Sequence, residues 1–127
     1  MSAKLKIYEY SGCSTCRKAL KFLDARRVSY QKIPILETQP SEAELRAMLR
    51  HVGGDIRKLF NTSGQAYREM GMSEKLKAMD EKQALRLLAR NGRLVKRPFA
   101  IMMAGPGAPG CGVLGFREPE WKRLADS

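Results

Sequence analysis

The sequence predicts an α/β fold built on a four-stranded mixed sheet, and three observations carry that expectation. First, a β-alternating run at Leu5-Lys6-Ile7-Tyr8, a helical pattern and a second β run follow one another within about thirty residues, which makes a βαβ unit. Its right-handed crossover makes the two strands parallel. Second, two more β runs, Phe99-Ala100-Ile101-Met102-Met103 and Gly112-Val113-Leu114-Gly115-Phe116, precede a helical pattern near the end of the chain. They form an antiparallel pair and a ββα unit. Third, the stretch between these halves, about residues 38–92, carries helical periodicity and helix caps.

The first helix is expected over Ser14–Arg27, because Cys16, Ala19, Leu20 and Leu23 fall at i, i+3, i+4 and i+7 on one apolar face. Cys16 therefore lies on the buried stripe, and Cys13 lies in the cap region before the first turn. Val28-Ser29-Tyr30-Gln31-Lys32-Ile33 alternates as a strand that Pro34 ends. Ser41-Glu42-Ala43-Glu44 is a capping box, backed by Leu45, Met48, Leu49 and Val52 and stopped by Gly53-Gly54. Ile56, Leu59 and Phe60 give one turn of helix that ends at Asn61-Thr62-Ser63-Gly64, and Met72, Leu76 and Met79 give a helix from about Ser73. Asp80-Glu81-Lys82-Gln83 caps a further helix, with Ala84, Leu85 and Leu88 inward and Asn91-Gly92 as its stop. Gly105-Pro106-Gly107-Ala108-Pro109-Gly110 is too long and too proline-rich for a tight hairpin turn, so a mobile surface loop is expected there. The last helix should run over Pro119–Ala125, with Trp121 and Leu124 against the sheet. Strand order and helix placement together describe a thioredoxin-like fold with a helical insertion between its halves, in one domain spanning residues 1–127.

Composition narrows the function. A hydrophobic share of 43% beside 29% charged residues fits a chain that folds around a core, and no apolar run approaches the length of a membrane span. The start of the chain, Met-Ser-Ala-Lys, has no apolar stretch for a signal peptide, so a cytoplasmic location is expected. In a reducing compartment a close cysteine pair reads as catalytic, redox-sensing or metal-binding rather than as a structural disulfide. Zinc would need four donors, and the chain offers only Cys13, Cys16, Cys111 and His51, widely separated apart from the first two. No metal and no bound cofactor are expected. The net charge of +11 favours an acidic partner or an anionic substrate. The basic residues are spread along the chain, which is also the pattern of a solvated surface and points to no specific nucleic acid.

Strand, tight turn and Cys13-Ser14-Thr15-Cys16 opening a helix is the layout of a thiol-redox site. A free thiol becomes mostly thiolate at pH 7 only after about 2.7 kcal/mol of preferential stabilisation of the anion, a shift of about two pKa units. A helix N-terminus supplies about 0.3–1 kcal/mol of that. The expected remainder comes from N–H donors at Ser14, Thr15 and Cys16, the Thr15 hydroxyl and the Arg17 cation. Cys13 is the candidate nucleophile. Cys16 is either its resolving partner or core packing. Pro98 stands at the start of a strand, a position that tolerates proline. In thioredoxin-like folds a cis proline there faces the cysteine turn, which implies that Arg97 projects into the site, where a guanidinium fork suits an oxyanion. The alternative is a solvated arginine before a structural proline. Arg117 returns to the same end of the sheet and is a second candidate cation. Cys111, about 16 Å away along the antiparallel strand, is a poor resolving cysteine. His51 closes an apolar helix face and reads as structural.

The residues Cys13-Ser-Thr-Cys16-Arg17-Lys18-Ala19, Leu59-Phe60-Asn61-Thr62-Ser63-Gly64, Asn91-Gly92-x-Leu94-Val95-Lys96-Arg97-Pro98 and Val113-Leu114-Gly115-Phe116 resemble the arsenate reductase ArsC/Spx family over nearly the whole chain. The resemblance implies one of two functions. In the glutaredoxin-linked arsenate reductases, the cysteine matching Cys13 attacks arsenate and three arginines hold the oxyanion, with glutathione and glutaredoxin, or a thioredoxin-type protein, as electron donor. Here Arg97 matches one arginine, Asn61 stands where another is expected, and Phe116-Arg117 lies at the third. Arg57 and Arg68 are other cations that could take the place left by Asn61. In the Spx/MgsR branch, a Cys13–Cys16 disulfide is a redox switch on a regulator that binds the RNA polymerase α-subunit. The resemblance thus implies a thiol-dependent oxidoreductase or, alternatively, a redox-sensing transcriptional regulator. Taken with the residue reading above, the expected substrate-binding residues are Thr15, Arg17, Arg97, Pro98 and Arg117.

Overall fold

The computed structural model describes residues 5–105 and 108–126. Residues 1–4, where a leader was judged absent, and 106–107, in the expected loop, lie outside them. Strands β1 (Leu5–Glu9), β2 (Gln31–Pro34), β3 (Phe99–Gly105) and β4 (Ala108–Leu114) form one sheet in the order β2-β1-β3-β4. β1 and β2 are parallel, whereas β3 is antiparallel to both β1 and β4. β3 alone opposes the other three, so the sheet is mixed and the α/β expectation holds.

Six helices complete the described chain: α1 (Ser14–Ala25), α2 (Glu42–His51), α3 (Gln65–Glu69), α4 (Met72–Ala78), α5 (Glu81–Arg90) and α6 (Glu118–Ala125), with 3₁₀ turns at Ile56–Leu59 and Gly92–Leu94. The period-2 alternation of the strands splits the core into two layers. Leu5, Ile7 and Ala100 pack with Ala19 and Leu23 of α1 and with Trp121 and Leu124 of α6. Tyr8, Phe99 and Ile101 pack on the other face with Leu45 and Met48 of α2 and Leu85 and Leu88 of α5. Among the described residues no helix is long and apolar enough to cross a membrane.

The capping boxes at Ser41–Glu44 and Asp80–Gln83 form as expected. Glu44 does more than cap. Its buried carboxylate accepts hydrogen bonds from the Tyr8 hydroxyl (2.6 Å) and the Lys6 ammonium (2.7 Å), tying α2 to β1. Burial raises the Glu44 pKa, but the bonds from Lys6, Tyr8 and the Ser41 backbone outweigh it and hold the carboxyl below its ordinary value.

The structure corrects several boundaries. α1 stops at Ala25, not Arg27, because Arg27 turns to a left-handed φ of 57° and Val28 N–H donates back to the Leu23 carbonyl. β2 starts at Gln31 and includes Pro34, which an edge strand tolerates. α3 was not legible: its five residues are too few to show a period. The expected loop at 105–110 is largely β ribbon, since β3 reaches Gly105 and β4 begins at Ala108. β4 ends at Leu114, before Gly115 takes a φ of 65° and donates its N–H to the Pro98 carbonyl. Cys111 therefore sits within β4 and not at its start. It lies three residues from Leu114, about 10 Å along the strand and nearer than expected.

Candidate active site

β1 ends, β3 begins and β4 ends at one edge of the sheet, because Tyr8 pairs with Phe99 and Phe99 with Leu114. The turn after β1 closes with Cys13 N–H donating to the Tyr10 carbonyl at 3.0 Å. Cys13 is the N-cap of α1, and its Sγ accepts the Cys16 N–H at 3.3 Å. Serine or aspartate commonly fills this position. Here the half-buried sulfur of the candidate nucleophile caps the helix itself.

Cys16 is different. Its side chain is 0% exposed, and burial pushes its thiol up to about 12. A backbone hydrogen bond with Tyr10 pulls the other way, while the neighbouring Cys13 sulfur and the charge of Glu9 add to the rise. The Cys13 sulfur accepts the Cys16 backbone N–H, so the two cysteines are adjacent yet unequal.

A cleft of about 580 Å³ opens over Cys13. Thr15, Arg97 and Arg117 line it, as the sequence predicted, together with Lys96 and Asn61. Three cations and no carboxylate line the cleft among the described residues. The Arg97–Pro98 bond is cis, Pro98 is buried, and the Arg97 guanidinium lies 5.0 Å from the centroid of the Tyr10 ring. That ring lies across Gly12, where an added Cβ would come within 2.7 Å of it. Arg117 is exposed and pairs with Glu120 at 3.5 Å.

Arg17 departs from expectation. Its guanidinium donates to the Ser11 carbonyl at 2.8 Å, and the residue is not part of the cleft lining. Of the cations weighed against Asn61, Arg57 lines an adjoining, larger cleft and Arg68 lines neither. Cys111 and His51 also belong to that larger cleft, where His51 Nε2 lies 2.9 Å from the Gly110 carbonyl. No three His, Cys, Asp or Glu side chains converge on a metal position among the described residues.

Two residues that line the cleft went unread in the sequence. Lys96 was visible only as part of Lys96-Arg97-Pro98, yet it supplies the third cation. Tyr10 carried no motif signal beyond its place three residues before Cys13, although its backbone and ring contact both thiols' surroundings and Arg97.

The chain matches the ArsC family over residues 8–124. It is 47% identical to YusI of Bacillus subtilis over 95 residues, which are 75% of this chain and 80% of that protein. More distant relatives include the regulatory protein MgsR of B. subtilis, 24% identical over 80% of this chain and 79% of that one. Another is an arsenate reductase of Neisseria meningitidis, 27% identical over 77% of this chain and 83% of that one. Among solved structures, an ArsC-family-related protein of Bacteroides fragilis superimposes with a TM-score of 0.85 at 36% identity, covering 98% of this chain and 99% of its own.

Proposed function

Because the chain belongs to the ArsC family, we propose that it is a thiol-dependent oxidoreductase in which Cys13 attacks an oxyanion or an anionic disulfide. The observation that carries this is Cys13 Sγ at the N-cap of α1, under Lys96, Arg97 and Arg117. Cationic groups at fixed positions stabilise negative charge on both nucleophile and substrate in a partly enclosed cleft.

With a disulfide, the Cys13 thiolate forms a mixed disulfide and releases the other sulfur as a thiolate. With arsenate, Cys13 Sγ replaces one oxygen, which leaves as water. A second thiol, from glutathione or a glutaredoxin or thioredoxin-type protein, then completes a disulfide while arsenic gains two electrons. Lys96 takes part of the role that the family gives to an arginine at the position of Asn61. A coupled assay with arsenate, glutathione and glutaredoxin tests the oxyanion reading: turnover above a Cys13→Ser control supports it, and none rejects arsenate as substrate. Exchange with oxidised glutathione tests the disulfide reading separately.

A second reading rests on the adjacency of the two sulfurs and the similarity to MgsR. A Cys13–Cys16 disulfide would then switch binding to the RNA polymerase α-subunit. Pull-down of that subunit by only one redox state supports this regulator; failure in both states removes it.

A further inference from the structure

A second cleft, of about 970 Å³, adjoins the Cys13 cleft and shares Lys96, Leu114 and Arg117 with it. Its floor includes the consecutive residues Cys111–Leu114 of β4. Consecutive strand residues point to opposite faces of a sheet. Val113 packs with the α1–α6 layer, whereas Leu114 packs with the α2 side and an added Cβ at Gly112 would meet Met48 of α2. A cleft that touches all of these residues runs along the outer edge of β4, the last strand in the sheet.

That edge is guarded unevenly. Beyond Ile101 the β3–β4 ladder shifts register twice, and His51 occupies the Gly110 carbonyl. Bulges and covering side chains of this kind discourage strand addition. From Cys111 to Leu114 the ladder with β3 is regular at Gly112, Val113 and Leu114, and no other hydrogen bond to the backbone of these residues is present among the described residues. The open stretch is about 13 Å long, enough for four residues of extended chain. Among the described residues, the walls carry Arg57, Lys58 and Lys96 beside the Arg117–Glu120 pair, with Asp55 as the one further carboxylate.

We propose that this groove binds an extended acidic polypeptide segment, which adds to the free edge of β4 as a fifth strand. Main-chain bonds to the edge supply affinity, and the basic walls select acidic side chains. The groove ends at Leu114 and Arg117, beside Cys13. Under the thiol reading above, on which this last step rests, the bound segment presents its own disulfide to Cys13. A nucleic acid would use the basic walls but not the backbone edge, so the edge favours a peptide.

The test is fluorescence anisotropy with a labelled hexapeptide of alternating Glu and Val, its Lys-Val counterpart, and two versions of the acidic peptide N-methylated on alternate residues. The acidic peptide should bind at least tenfold tighter than the basic one. Arg57→Glu/Lys58→Glu, checked for folding by its melting temperature, should reverse that order. One N-methylated version should lose binding and the other keep it. Equal binding of the two charge types, or indifference to both methylation patterns, overturns the proposal, as does a single-stranded oligonucleotide that binds tighter than the acidic peptide. Binding is read without thiol chemistry: peptide binding without disulfide exchange defeats the enzyme reading alone, and exchange without peptide selectivity defeats the groove alone.

Discussion

Cys13 and Cys16 lie one helical turn apart, and burial gives them different chemistry. Cys16, fully buried with its thiol pushed up to about 12, stays protonated at neutral and moderately alkaline pH. Iodoacetamide at pH 8 should therefore label Cys13 and the exposed Cys111 in the folded protein, and Cys16 only after unfolding, as read by peptide mass spectrometry. Cys16 labelled as fast as Cys13 in the folded protein would contradict this inequality. If Cys16 resolves a Cys13 adduct, as the sequence allows, the same burial should make its attack slow. A Cys16→Ser variant should still form the mixed disulfide with glutathione but fail to release glutathione from it. Arg97 depends on Tyr10. A cation–π contact at a partly exposed site contributes about 0.5–1 kcal/mol, so Tyr10→Ala should raise KM for an anionic substrate about two- to fivefold and Tyr10→Phe should not.

At the scale of elements, the join between α2 and β1 sets how the helical block sits on the sheet. Glu44 is held ionised there by Lys6 and Tyr8, with a folded-state pKa below that of the unfolded carboxyl. The cluster thus stabilises the fold above the unfolded value of about 4.3, and that contribution is lost as the pH falls through the lower folded value. Glu44→Gln should cost about 1–3 kcal/mol at pH 7 and flatten the fall of melting temperature between pH 6 and pH 3. An unchanged acid limb would show that other carboxyls govern it. Elements with a long period or a capping signature were legible in the sequence: α1, α2, α5 and the start of β3. α3 was not, having five residues, and the 105–110 stretch misled because glycine and proline mark turns whether or not a bulged ribbon surrounds them. Within the site, the Cys-x-x-Cys spacing at a helix start pointed to Cys13 and Thr15, and the proline after Arg97 pointed to that residue. Strand direction brought Arg117 to the same end of the sheet, and the four line one cleft. Lys96 and Tyr10 required side-chain directions, and Arg17, expected near the thiol, gives its guanidinium to the Ser11 carbonyl and lies outside the cleft lining.

Across the whole molecule, the net charge of +11 includes cations that line one cleft with no carboxylate among its described lining residues. Lys96, Arg97 and Arg117 do so over the Cys13 sulfur, and the same basic character continues into the groove beside β4. Attraction of this kind weakens as salt shortens the screening length to about 10 Å at 0.1 M. KM for an anionic substrate should rise with ionic strength, while exchange with a neutral disulfide should change little. The proposed role of Cys13 is that of a nucleophile aimed at anions. It is tested most directly by stopped-flow rates of Cys13, in a Cys111→Ser background, with a dianionic aromatic disulfide, its neutral dipyridyl counterpart and the cationic disulfide cystamine. Relative to the same chain unfolded in denaturant, the folded protein should favour the anionic over the cationic disulfide, and Arg97→Ala should reduce that preference. Folded and unfolded chains with the same charge preference, or a preference untouched by Arg97→Ala, would contradict the claim.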